Sequence, residues 1–91
     1  MNSPTARRFI IRGRVQGVNY RRFAAAEASA LDINGYAKNL DDGSVEVVAE
    51  GTPSNLDLLA QKLSKGPPAA RVEKMTFEET TPDNYHGFAV K

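Results

Sequence analysis

Cysteine is absent from the 91 residues, which removes disulfides, thiol nucleophiles and thiolate metal sites together. The single histidine, His86, cannot assemble a metal cluster alone. No apolar run approaches the ~18 residues a membrane helix needs, and Met1–Ala6 lacks the apolar segment of an export signal. A soluble cytoplasmic monomer without a membrane partner is expected. The net charge of +1 argues against bulk nucleic-acid binding. Acids are missing locally as well: residues 7–26 contain no Asp, Glu or His. At this length the chain forms one domain over residues 7–91, with residues 1–6 as a loose tail.

Basic residues fill the space the acids leave. Arg7, Arg8, Arg12, Arg14, Arg21 and Arg22 all precede the first acid, Glu27. They form either a solvated basic edge or a positive field around an anion site with Arg21 at its focus. The stretch Gly13-Arg14-Val15-Gln16-Gly17-Val18-Asn19-Tyr20-Arg21 decides where to look. It follows the apolar run Phe9-Ile10-Ile11 and precedes an alanine-rich helical pattern, so a strand ends at a glycine-punctuated loop that opens a helix. Such a junction gathers main-chain N–H groups near the positive end of a helix dipole. An arginine there adds a forked donor suited to phosphate.

Periodicity predicts the order β-α-β-β-α-β with a possible short fifth strand. Arg7–Gly13 reads as a strand. Tyr20, Phe23, Ala24, Ala28 and Leu31 make one helical stripe, and Val18 staples its start. Gly35–Leu40 is the second strand, Asp41-Asp42-Gly43-Ser44 a hairpin turn. Val45, Val47 and Ala49 alternate with Glu46, Val48 and Glu50 as a half-buried third strand. Thr52-Pro53 starts a second helix with Leu56, Leu59, Ala60 and Leu63 on one face, and Gly66-Pro67-Pro68 stops it. Arg71–Glu79 is the fourth strand, and Phe88 and Val90 mark the short last one. A split βαβ pattern of this kind predicts an α+β fold: one mostly antiparallel sheet with both helices on a single face.

The loop lacks the Gly-Lys-Ser/Thr ending of a Walker A motif, the cysteine of a thiol phosphatase and the spacing of a dinucleotide fingerprint. What remains is a phosphate site without a nucleophile, metal or general base. A site with no acid to protonate a leaving group suits a substrate that leaves as a stable anion, and a carboxylate, with a pKa of about 4, is one. Phosphoryl transfer needs little covalent help when charge is neutralised and attack is in line. Acyl phosphates fit that description. Attack still requires a placed water. In a split βαβ sheet the third strand lies between the first two, so polar residues ending the second strand face the loop across a small gap. Asn39 stands there. Its amide can hold a water but cannot accept a proton; equally, it can simply begin the hairpin turn.

The blocks Gly13–Arg21 and Gly35-Tyr36-Ala37-Lys38-Asn39-Leu40-Asp41-Asp42-Gly43-Ser44-Val45-Glu46, their spacing and the element order resemble the acylphosphatase family, from Arg7 to the C-terminal end. The resemblance implies a ferredoxin-like α/β sandwich. It also implies hydrolysis of acyl phosphates to a carboxylate and inorganic phosphate without metal or cofactor. By the same resemblance Arg21 matches the catalytic, phosphate-binding arginine, and Asn39 matches the asparagine that orients the water. The main-chain N–H groups of Gln16, Gly17, Val18, Asn19 and Tyr20 match the phosphate cradle. Asn19 stands where the family tolerates several residues, so only its N–H matters. Arg22 adds charge beside the catalytic position. Gln16 is expected to fix the loop, Tyr20 and Phe23 to pack in the core, Tyr36 to pack on the sheet, and Arg14 and His86 to face solvent. Lys38 has two readings, added field or plain surface.

Two other functions fit parts of the pattern. An RNA-binding domain shares the element order but needs aromatics on its third strand for base stacking, and Ser44–Glu50 has none. A non-catalytic anion-binding module would keep the cradle, yet it does not require a water-orienting amide.

Overall fold

A computed structural model of the chain describes residues 4–91. β1 spans Thr5–Arg14, α1 Tyr20–Ala30, β2 Asn34–Asn39, β3 Val45–Gly51, α2 Pro53–Lys65, β4 Arg71–Thr80 and β5 Phe88–Val90. The five strands form one sheet in the order β4-β1-β3-β2-β5. β1 pairs antiparallel with β3 and β4, and β2 pairs antiparallel with β3 and parallel with β5. β1 and β2 therefore run parallel on either side of β3, as the split βαβ reading requires.

The helices form for the reasons legible in their sequences. Tyr20, Ala24 and Ala28 recur every four residues and are buried, and the two alanines let α1 lie close to the sheet. The Thr52 side chain caps α2 by accepting from the Asn55 N–H, and Pro53 supplies the first helical residue. Leu56, Leu59 and Leu63 point into the core, where they meet Phe9, Ile11, Val45 and Val47 from the sheet. The Tyr20 hydroxyl donates to the Leu63 carbonyl at 2.6 Å, tying the start of α1 to the end of α2. Burial pushes that phenol's pKa well up, so it stays a donor.

Three features depart from the sequence reading. β1 begins at Thr5, so the tail expected over residues 1–6 is shorter: Thr5 and Ala6 pair with Gly51 and Glu50, and Ala6 is buried. Residues 1–3 lie outside the described residues. β3 is not half-buried; Val45 through Glu50 are all buried. Glu46 and Glu50 point away from the helices, as alternation demands, but that face is covered. Glu46 accepts from Arg8 at 2.5 Å and from the Tyr36 hydroxyl at 2.9 Å, and Glu50 accepts the Asp83 and Tyr85 N–H groups at 2.5 and 2.9 Å. Burial pulls the Glu46 carboxyl up, yet the bonds from Arg8 and Tyr36 outweigh it and hold it below its ordinary value. β2 starts at Asn34 and ends at Asn39, one residue earlier at each end than the pattern suggests.

β1 changes register against β4 between Arg12 and Gly13, a bulge that turns the strand towards the following loop. Gly13 has φ +130°, and a Cβ there would sit 2.1 Å from the Arg71 carbonyl oxygen and 2.8 Å from the Glu73 nitrogen. Only glycine lets β4 approach so closely. Gly13→Ala is expected to destabilise the domain by about 2–4 kcal/mol, from backbone strain plus a clash with main chain that cannot swing aside. A urea titration with an unchanged m-value and a lowered midpoint is the expected record; an unshifted midpoint contradicts it.

Candidate active site

The loop from Val15 to Asn19 carries the chain from β1 into α1. Val15 and Val18 are buried and anchor it to the core. Gly17 and Asn19 have φ of +74° and +67°, the left-handed region that glycine and asparagine enter at least cost. Alternating handedness around a buried Val18 is a backbone pattern of the kind that forms anion nests. The space in front of Gly17 is open: a Cβ there would meet nothing within 4 Å. Asn19 caps α1 without a side-chain bond to the helix, so its side chain plays no part in the helix start.

A cavity of about 410 Å³ opens over this loop. Gly17, Asn19, Tyr20 and Arg21 line it from the loop and α1, and Asn39 lines it from the end of β2. Four of the seven residues singled out for the site thus line one cavity with Arg21, and Gln16 and Val18 are not among its lining residues. Asn39 is half-buried, and its Oδ1 is fully buried with no protein hydrogen-bond partner. The lining has no carboxylate, histidine or thiol, and therefore no general base.

Gln16 explains why the two halves of the cavity keep station. Its side-chain amide donates to the Leu40 carbonyl at 2.8 Å and the Ser44 carbonyl at 2.9 Å, pinning the loop to the β2–β3 turn next to Asn39. The same turn is closed by Leu40 N–H to Ser44 and by Gly43 N–H to Leu40. Asp42 accepts from the Ser44 hydroxyl and N–H and from Arg12. Those bonds, the Ser44 hydroxyl first, hold the Asp42 carboxyl down at about 2. Gln16→Ala is expected to lower kcat about 10-fold by loosening that alignment and to cost about 1–2 kcal/mol of stability. Steady-state kinetics beside thermal unfolding check both; wild-type kcat at reduced stability would show the pin to be structural only.

The sequence reading missed the contribution of β5. Val90 lines the cavity, and Arg21 Nη1 donates to the Lys91 main-chain oxygen. Lys91 N–H in turn donates to Ala37 of β2, and its ammonium lies 4.0 Å from the centre of the Tyr36 ring. A guanidinium has five N–H donors, so this contact orients Arg21 while leaving others for a ligand. No local signal marks these residues, because parallel pairing between β2 and β5 alone carries them to Arg21. Arg14 and Lys38 are exposed, as is His86. Tyr36 packs edge-on against Tyr85 with ring centres 5.7 Å apart; burial and the Glu46 carboxylate push its phenol up to about 12.

Size does not mark the site. A larger cavity, about 770 Å³, lies beyond the other end of β2, among Asn34, Glu50, Asn55 and His86. Three of its polar side chains are already engaged: Glu50 with Asp83 and Tyr85, Asn55 with the Leu31 carbonyl, Asn34 with the Gly87 N–H.

The acylphosphatase family model matches residues 7–90 of this chain. The chain belongs to the acylphosphatase family. Among curated acylphosphatases, that of Solibacter usitatus is 48% identical over 86 residues, covering 94% of this chain and 90% of the relative. That of Thermus thermophilus is 47% identical over 81 residues, covering 89% and 92%. The crystal structure of the acylphosphatase from Bacillus subtilis superposes with a TM-score of 0.93 at 34% identity, covering 96% of this chain and 98% of that one. Similarity thus extends over the whole acylphosphatase domain, including β1, the loop and the β2–β3 turn. The ferredoxin-like α+β fold expected from the resemblance is the fold observed.

Proposed function

We propose that this acylphosphatase cleaves the carboxyl–phosphate anhydride by in-line attack of a water placed by Asn39. The phosphoryl group is held by Arg21 and the main-chain N–H groups of residues 16–20. One observation carries the reading: Asn39 lines the same cavity as Arg21 and the left-handed loop, although it comes from a different strand. A non-catalytic anion sensor does not require a water-orienting amide there.

The chemistry follows from what the cavity contains. The loop N–H groups and the guanidinium neutralise the phosphate oxygens and stabilise charge that shifts onto them in the transition state. The Asn39 amide holds the water by a hydrogen bond so that the water's lone pair aims at phosphorus. As the new P–O bond forms, the P–O bond to the acyl group breaks and its electrons leave on a carboxylate. With a pKa of about 4, that leaving group needs no proton at neutral pH. The attacking water's proton passes to a phosphate oxygen, since Asn39 cannot take it. Inorganic phosphate is the second product. Neither a metal nor an organic cofactor enters these steps. No helix among the described residues is long and apolar enough to cross a membrane.

Hydrolysis of benzoyl phosphate by the purified protein in excess chelator, followed by loss of ultraviolet absorbance, tests the proposal. Rapid turnover with competitive inhibition by inorganic phosphate is the expected result. Folded protein that binds phosphate without turnover would leave an anion-binding module in its place.

A further inference from the structure

The first turn of α1 carries two arginines at the wrong end of the helix. Arg21 and Arg22 follow Tyr20, the first helical residue, and that turn contains no acid. Cations near a helix N-terminus oppose its dipole, at a cost of a few tenths of a kcal/mol each. Arg21 has a use for this position in the phosphate site proposed above. Arg22 lines the same cavity, is exposed, and has no carboxylate within ion-pairing distance among the described residues. Arg7, Arg8 and Arg12, by contrast, are all paired. A local rule broken without a structural return points to a ligand.

In-line geometry says which part of the ligand. The water on Asn39 and the leaving oxygen lie on opposite sides of phosphorus, so the acyl group points away from Asn39. The exposed Arg22 forms cavity rim, whereas Arg21 is half-buried. The rim offers an acyl group little to bind apolarly: Val15 and Tyr20 are buried, leaving only Val90. We propose that Arg22 is a specificity determinant that favours acyl phosphates whose acyl part carries a second anionic group, a carboxylate or a phosphate. This rests on the hydrolase reading and adds the acyl-group preference to it.

The test compares kcat/KM for succinyl phosphate, whose acyl chain ends in a carboxylate, with that for acetyl phosphate, in wild type, Arg22→Gln and Arg22→Lys. Wild type is expected to prefer succinyl phosphate, and Arg22→Gln to shrink the ratio about 5-fold, the size of one solvent-exposed charge pair. Arg22→Lys should restore most of the ratio. Raising ionic strength should compress the wild-type ratio and leave that of Arg22→Gln nearly flat. The melting temperature of Arg22→Gln should equal or exceed that of wild type, because a cation is removed from the helix start. Equal losses for both substrates, or no change in the ratio, would overturn the proposal and reduce Arg22 to general attraction or to surface. Turnover of neither substrate by folded wild-type protein would sink the hydrolase reading instead, so the two failures are distinguishable.

Discussion

Replacing Arg21 with alanine should reduce acyl phosphate turnover by about 10³-fold or more and raise the inhibition constant for inorganic phosphate by at least about 10-fold. The loss in both quantities follows from where the guanidinium sits. It lines the cavity beside the left-handed loop and is oriented by the Lys91 main-chain oxygen, so its charge serves bound phosphate and transition state alike. Removing it strips the site of its half-buried cation and leaves neutral N–H groups to carry the phosphate. Arg21→Lys should recover little, because an ammonium on a flexible stem cannot reproduce a planar fork that is already hydrogen-bonded to β5. Stability should hold, since Arg21 makes one hydrogen bond and lies in a turn where positive charge is unfavourable. Circular dichroism and thermal unfolding beside the kinetics check this. Retention of more than a tenth of wild-type turnover would remove Arg21 from the centre of the mechanism.

Asn39→Ala should behave differently. A roughly 10²-fold loss in kcat is expected, comparable to losing one preorganised polar group, while phosphate inhibition changes by less than about 3-fold. Asn39 acts on the attacking water and not on the phosphoryl group, so its effect belongs to the transition state alone. Stability supplies an independent sign. Wild type buries the Asn39 Oδ1 without a protein partner, and alanine removes that unpaired acceptor. The variant should therefore be as stable as wild type or slightly more so. Slower turnover with unchanged or improved stability would mark a residue kept for chemistry. If turnover survives intact, Asn39 merely begins the hairpin, which was the other reading of its position.

Much of this was legible along the chain because the signals are local. Asp-Gly marked the β2–β3 turn, and Thr52-Pro53 marked the start of α2. The four-residue spacing of Tyr20, Ala24 and Ala28 marked the buried face of α1. Gly13 and Gly17 marked a loop where a strand ends and a helix opens. Non-local features were misread or missed. Alternation along Val45–Glu50 correctly separates two faces, but it cannot say that Arg8, Tyr36 and the residue 81–87 loop cover the outer one. Residues 1–6 look like a tail until Gly51 and Glu50 are brought beside Thr5 and Ala6.

The sequence by itself determined the element order, the glycine-bearing loop at the start of α1, the presence of Arg21 and Asn39 in matching blocks and the lack of Asp, Glu or His over residues 7–26. These are properties of residue type and spacing, and backbone preference reads them within a few positions. The tertiary structure decided that Asn39 and Arg21 line one cavity, because β3 inserts between two strands that are distant along the chain. It also decided that Gln16 bridges to Leu40 and Ser44, that Asn39 Oδ1 is buried without a partner, and that β5 delivers Val90 and Lys91 to the site. The Gln16 and Lys91 hydrogen bonds join residues at least 24 positions apart, and only sheet pairing with packing of the helices against it determines which of them meet.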